Sequence, residues 1–415
     1  MDKEKENPEV RFSGFAESWK KFKLGDIGYP YTGLSGKTKK DFGHGEGRYI
    51  TYLNVFSNPI SNLNSVGEIG IDPMQNEVKK GDILFTVSSE TPEDVGMSSV
   101  WTENLNNVYL NSFCFGYRPT TKINYYFIAN LLRTPTFRNK IKVLAQGISR
   151  YNISKNKVME LHVNLPNIDE QKKIGDYLRN FDKLISEHQK KQTNLKALKK
   201  AMLDKIFPKK GQTVPEIRFK GFKGNWENFK LGNIGNPYTG LSGKTKSDFG
   251  HGKGRYITYM NVFSNPISDI NAIDKIEIDS TQNEVITGDV LFTVSSETSA
   301  EVGMSSVWTG NEKNVYLNSF CFGYRPKIKL DNYFLANILR TKTFRDQMIL
   351  LAQGISRYNI SKNKVMHLKI SLPEFDEQVV IGEYFKNLDD LITQHNTQIE
   401  KLNNLKKAFL AKMFI

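Results

Sequence analysis

What most constrains this chain is that it is written twice. PEVRF at residues 8–12 returns as PEIRF at 215–219, and AQGISRYNISKNKVM at 145–159 returns letter for letter at 352–366. The shift is 207 throughout, without insertion or deletion, and roughly 130 of about 200 aligned positions are identical. Both cysteines pair up across the shift (Cys114 with Cys321), as do the tryptophans (Trp19 with Trp226, Trp101 with Trp308). Solenoid repeats are far shorter, so a period of this length marks a duplicated domain. Any fold must be assembled from two copies of one unit.

Each copy has two parts. In the first, short apolar bursts stand between Gly, Asn, Ser and Pro clusters. DILFTVSS (82–89), NVYLNSFCFGYRP (107–119) and LHVNLP (161–166) read as β-strands from alternation and from their β-branched and aromatic content. NYYFIANLLRTPTFRNKI (124–141) has helical spacing, broken near Pro135. This part is expected to be a mixed α+β globule. In the second part apolar or bulky residues recur at steps of three and four: Ile174, Tyr177, Phe181, Leu184, His188, Leu195, Leu198 and Met202. The second copy repeats the series as Ile381, Tyr384, Leu388, Leu391, His395, Leu402, Leu405 and Phe409. Read as a and d positions of about four heptads, they predict a helix of about 35 residues, roughly 50 Å long. One such helix leaves its stripe in water, whereas two can bury theirs against each other.

The expected architecture is therefore α+β: two homologous domains of mixed sheet and helix, separated by two long helices in an antiparallel coiled coil, with pseudo-two-fold symmetry. The boundaries read as 1–166 for the first domain, 167–207 for its helix, 208–216 for a linker, 217–373 for the second domain and 374–415 for the second helix. The linker is rich in Pro, Gly and charge.

Composition bounds the function. With 58 Lys+Arg against 44 Asp+Glu, the net charge of +14 points towards a polyanion, most often nucleic acid. Two cysteines exclude a disulfide scaffold and suit a reducing compartment. The opening MDKEKENPEV has no apolar core of a secretory signal, and no run approaches a membrane span, so a cytoplasmic protein is expected.

Catalytic constellations fail one by one. YTGLSGKT (31–38, repeated at 238–245) ends like a phosphate-binding loop, but that motif needs a glycine where Tyr31 and Tyr238 stand. His44 and His251 have no ligand partners at suitable spacing, and Glu46 gives way to Lys253 beside them. His188 and His395 fall on the heptad stripe and read as packed polar residues. Cys114 and Cys321 lie in apolar runs and read as buried small residues. No catalytic residue, metal ligand or cofactor site is expected in this chain.

A binding pattern remains. The repeated segment carries Arg150, Tyr151, Asn152, Ser154, Lys155, Asn156 and Lys157, matched by Arg357, Tyr358, Asn359, Lys362 and Lys364. Its donors suit phosphate oxygens, and Arg and Asn can pair bidentately with guanine and adenine edges. A second cluster is Lys37, Thr38, Lys39, Lys40, Arg48 and Tyr49, matched by Lys244, Thr245, Lys246, Arg255 and Tyr256. A third is Ser88, Ser89 and Glu90, with Ser295 and Ser296. These loops are nearly constant between copies while 61–70 drifts, which favours contact with double-stranded DNA over solvated loops.

LPNIDEQKKIGDYLRNFDKLI (165–185) and LPEFDEQVVIGEYFKNLDDLI (372–392) resemble the opening of the long helices in specificity subunits of type I restriction–modification enzymes. The elements before them match in order as well, over nearly the whole chain. The resemblance implies a non-catalytic DNA-reading subunit made of target-recognition domain, helix, target-recognition domain, helix. It also implies two modification subunits supplying S-adenosylmethionine and adenine N6 methylation, and restriction subunits supplying ATP- and Mg-dependent translocation and cleavage. Docking to the modification subunits would use the helical regions, with Glu170, Gln171, Ile174, Tyr177, Glu377, Gln378, Ile381 and Tyr384 as candidates.

In that family the two recognition domains commonly differ. Here they are more alike than the helices, so two equivalent half-sites are expected: an interrupted palindrome with centres on the order of 15 base pairs apart at most. The alternative reading is a duplicated scaffold or adaptor whose domains bind protein or glycan.

Overall fold

The computed structural model describes residues 7–415. It divides into two compact units: the chain up to Gln189 together with Thr397–Ile415, and Lys190–Asn396.

The first unit contains β1 (Lys20–Lys23), β2 (Gly28–Thr32), β3 (Phe42–Ile50), α1 (Tyr52–Ser57), β4 (Val66–Ile69), β5 (Ile83–Thr86), β6 (Ser88–Ser89), β7 (Ser98–Val100), β8 (Val108–Leu110), β9 (Cys114–Pro119), α2 (Tyr125–Leu131), α3 (Pro135–Val143), β10 (Tyr151–Asn152), α4 (Lys155–Met159) and β11 (His162–Leu165). Strands β2-β9-β5-β7 form an antiparallel sheet. A second sheet runs β4-β3-β8, with β8 parallel to β3. The two-stranded pairs β1-β11 and β6-β10 complete the globule.

Strand β5 shows why its sequence is a solid apolar run rather than an alternation. Ile83 and Phe85 face the larger core with Phe115, Tyr117 and Phe127, while Leu84 faces a second core with Trp101, Val108 and Cys114. A strand buried on both faces has no polar side to display. The helical stretch breaks at Pro135, as its sequence predicts: Thr134 caps the new helix by accepting from Phe137 N, with the proline at its first position.

The long helices are Ile168–Lys205 and Phe375–Lys412, 38 residues each and about 57 Å at 1.5 Å per residue. In the first unit the start of one meets the end of the other: Lys406 pairs with Asp182 at 2.5 Å, and Tyr177 and Phe181 pack on Phe409. In the second unit Gln192 bonds Asn396 at 3.3 Å, Lys199 pairs with Asp389 at 2.6 Å, and Phe207 stacks on Phe385. Ascending one helix descends the other, so the helices pair antiparallel within each unit.

The seam differs from the expected stripe by one residue at every second step. Ile174, Leu178, Phe181 and Ile185 are buried, and the line continues through half-buried His188, Gln192, Leu195, Lys199 and Met202 to Ile206. Leu184 and Leu198, expected at the d positions, are exposed, as are their counterparts Leu391 and Leu405. Tyr177 and Tyr384 are half-buried at its edge. The cause is a shift of heptad phase: Ile174 and Phe181, read as a positions, stand at d, so the next seam residue falls four positions on, at Leu178 and Ile185, rather than three on at Tyr177 and Leu184.

The end of each long helix closes a core. Met413 and Phe414 complete the first unit's core with Trp19 and Phe127. Ile206 and Phe207 complete the second unit's core with Trp226 and Phe334. Register for register, the second unit repeats the strand pairing of the first.

Candidate nucleic-acid interface

The repeated segment folds into a hairpin. Gln146 and Asn152 exchange two backbone hydrogen bonds of 2.9 and 2.8 Å, closing a turn through Gly147, Ile148, Ser149 and Arg150. Gly147 sits at φ 134°, where a side chain is strained, and a Cβ there would lie 2.0 Å from the Arg150 carbonyl oxygen. The turn is therefore built for glycine, as it is at Gly354. Beyond it, β10 pairs with β6 through Tyr151–Ser89 and Asn152–Ser88. Two of the three predicted clusters thus meet as one structural piece. Arg150 and Asn152 are exposed at its surface, Tyr151 is half-buried, and Lys155 and Lys157 follow on α4. Ser88 is buried and Ser89 half-buried, and the Ser88 carbonyl accepts from Tyr52 Oη at 2.6 Å. In the second unit Arg357 and Asn359 are likewise exposed, Tyr358 and Lys362 are half-buried and Lys364 is exposed, whereas Ser295 and Ser296 are both buried.

The other cluster is a braced loop. Lys37 gives its ammonium to Asp72 at 2.6 Å, and Asp72 also takes a 3.3 Å bond from Gln75. The Lys37–Asp72 hydrogen bond holds Lys37 above its ordinary pKa and Asp72 below its own. Thr38 and Asp41 form a capping box. Lys244 with Asp279, and Thr245 with Asp248, repeat the arrangement. This leaves Lys39, Lys40 and Arg48, with Lys246, as the solvent-facing donors of the cluster. Arg255 is half-buried and bonds the Gly254 carbonyl, and Tyr49 and Tyr256 pack edge-on against Phe42 and Phe249.

Several cations serve the fold instead. Arg133 reaches the carbonyls of Val55, Phe56, Asn58 and Ser98, and burial pulls its pKa down to about 10. Arg118 makes a bidentate pair with buried Asp82, which also accepts from Tyr31 Oη. The candidate docking residues on the helices are similarly engaged. Glu170 is fully buried and held by two hydrogen bonds from Arg11, and buried Gln171 bonds Asn124 N and the Pro166 carbonyl. Glu377 with Arg218, and Gln378 with Asp331 N and the Pro373 carbonyl, do the same. Ile174 and Ile381 are core residues. These side chains lock the helix start onto its own globule.

Sequence reasoning passed over the apolar neighbours of the hairpin: Leu53, Phe113 and Ile148, with Met260, Phe320 and Ile355, are large side chains left exposed. Apolar residues read as core candidates until a structure shows otherwise; only the position of Ile148 inside the repeated segment could have marked it. Among the described residues no group of three His, Cys, Asp or Glu could hold a metal ion, and no helix is long and apolar enough to cross a membrane. Burial pushes the Cys114 and Cys321 thiols far above their usual pKa, as suits packed rather than nucleophilic cysteines.

The family model described as the type I restriction modification DNA specificity domain matches residues 16–197 and again 223–404. The chain belongs to the type I restriction–modification specificity subunits. Its role is DNA specificity, it is not catalytic, and the cofactors of the reaction belong to partner subunits. A protein of Methanocaldococcus jannaschii, provisionally named the MjaX type I restriction enzyme specificity subunit, is 25% identical, covering 98% of this chain and 95% of its own. The EcoKI specificity subunit of Escherichia coli K12 is 24% identical over 81% of this chain and 75% of its own. The crystal structure of the S subunit from M. genitalium shares the fold, with a TM-score of 0.57 at 15% identity over 99% of both chains. So does a chain from a structural study of type I restriction–modification complex assembly and conformational transition, at 0.56 and 18% over 96% of this chain and 98% of its own.

Proposed function

We propose that the two recognition domains of this specificity subunit read two equivalent half-sites of an interrupted palindrome, so that partner subunits in the cytoplasm methylate adenine N6, and restrict, at one symmetric sequence. The observation that carries this reading is the exposed hairpin, identical from residue 145 to 159 and from 352 to 366 and held by the same strand pairing in each unit. Identity in a core follows from packing; on a solvent-facing tip it calls for a shared ligand. Arg150, Asn152, Arg357 and Asn359 are the base readers in this scheme. Lys39, Lys40, Arg48, Lys155, Lys157, Lys246, Lys362 and Lys364 anchor phosphates; Lys37 and Lys244 can join them only by leaving their aspartates.

Two modification subunits would dock along the helix faces that stay exposed, where Leu184, Leu198, Leu391 and Leu405 lie, while Glu170, Gln171, Ile174 and their counterparts set the helix direction. Single-molecule sequencing of DNA methylated by the assembled enzyme tests the reading. One self-complementary bipartite motif is expected, and two unlike halves would overturn it.

A further inference from the structure

Three large apolar side chains stand in water on one small surface of each globule. Ile148 is 96% exposed, Leu53 69% and Phe113 55%; their counterparts Ile355, Met260 and Phe320 are 97%, 60% and 59% exposed. Single exposed apolar residues are ordinary on protein surfaces. These are not scattered, because all three are tied to the segment at residues 87–89, Val87 and strand β6. The Phe113 carbonyl accepts from Val87 N at 2.9 Å, and the Val87 carbonyl accepts from Ile153 N at 3.0 Å, where the hairpin returns. Tyr52, next to Leu53, donates to the Ser88 carbonyl. The Arg150 guanidinium stands 6.0 Å from the centre of the Phe113 ring. Apolar surface and an arginine with no acidic partner among the described residues are thus presented together beside a turn whose shape Gly147 fixes.

Resting on the specificity reading above, we propose that Ile148 and Ile355, backed by Phe113 and Phe320, are apolar base-contacting residues that each read a thymine 5-methyl group in the major groove of their half-site. The chemistry of the surface selects the occupant. A cation beside an apolar tip matches a groove in which anionic phosphates flank base edges, and the thymine methyl is the one apolar mark among those edges. The turn is already closed by two backbone hydrogen bonds, so little conformational freedom is lost when the tip enters the groove. Hydrogen-bonding residues alone would leave that methyl unread. Because both copies carry isoleucine at the tip, the thymine must occur at symmetry-related positions.

The experiment uses the assembled methyltransferase complex and its cognate site, with each thymine replaced in turn by uracil to remove only the methyl group. The wild-type complex should lose about fourfold in affinity at one thymine per half-site, the worth of one buried carbon. The I148A/I355A variant should show that loss already on the natural site and be indifferent to uracil there, with its salt dependence unchanged. Both side chains lie in water, so the variant folds. A variant with wild-type affinity and wild-type sensitivity at every thymine would overturn the proposal. So would a variant that binds DNA normally but fails to assemble, since the tip would then be a protein contact. A wild-type complex without any sequence preference would instead remove the specificity reading, and this proposal with it.

Discussion

The two units are alike in a way that separates what folding demands from what a ligand demands. Their cores are built from equivalent residues, down to the stacked Phe85–Phe115 and Phe292–Phe322 pairs at 5.1 Å. Packing accounts for that likeness. Elsewhere the surfaces have drifted: Lys79 and Lys80 become Ile286 and Thr287, Glu46 becomes Lys253, and the Lys142–Glu93 ion pair gives way to Ile349 and Ala300. The hairpin tip is as exposed as these positions and has not drifted at all. Exposure without drift supports the proposed interface.

The comparison breaks most severely where the units borrow the same side chain from the end of a long helix. Phe207→Ala should destabilise the unit holding Trp226, and Phe414→Ala the unit holding Trp19, each by about 4 kcal/mol, since each deletes a buried phenyl group. Hydrogen exchange should show the loss confined to the unit concerned. Equal loss of protection in both would mean that the units do not unfold separately.

Next in size are the arginines that hold the helix starts. Arg11→Ala leaves Glu170, and Arg218→Ala leaves Glu377, as a fully buried carboxylate without its partner. Removing one side of such a pair costs about 3 kcal/mol, the lower end of the usual range. Chemical denaturation of the two variants should give matching losses. Replacing both partners by apolar residues of similar volume should recover much of each.

Much of this was legible in the sequence, for reasons that particular residues make clear. Duplication, the strands of the doubly buried sheet and the helix break at Pro135 follow from local pattern. The helix seam was harder: tyrosine and leucine stand at 177 and 178, both apolar enough to serve, and only the fold separates them, with Leu178 fully buried in the first core and Tyr177 half-buried at the edge against Phe409. Charge was the weakest guide. Lys37, Arg118 and Arg133 count fully towards the net charge, yet the fold spends them on Asp72, Asp82 and a nest of carbonyls. The proposed arginine readers, Arg150 and Arg357, are ones for which no ion pair is seen among the described residues.

Arg150→Ala and Arg357→Ala sharpen the comparison at the interface. Each should weaken specific binding by about 1–3 kcal/mol, and by equal amounts if the half-sites are equivalent. The doubled variant should lose roughly the sum, with little change in stability because both side chains lie in solvent. Titration of the assembled complex on its cognate site measures this. Loss from only one arginine would show that the copies have parted in function despite their identical hairpins.

The smallest effect comes from one substitution between the copies. Asn124 caps α2 by accepting from Phe127 N, and Asp331 does the same for Phe334 N in the second unit. Half-buried against the second long helix, where a Cβ on Gly382 would lie 2.0 Å from its Oδ1, the Asp331 carboxyl has its pKa raised by desolvation. The native state then binds that proton more tightly than the unfolded chain. This group's contribution to stability is fully present below the ordinary aspartate value of about 3.9 and is lost as pH rises from there through the raised native one. Above that window the loss is complete and constant. Asp331→Asn should remove this fall and leave the second unit slightly more stable at neutral pH, by about 0.5 kcal/mol, with the first unit unchanged. Denaturation of both proteins across acidic and neutral pH tests it. A wild-type curve parallel to that of D331N would show that the helix N-terminus already offsets the cost of burying the charge.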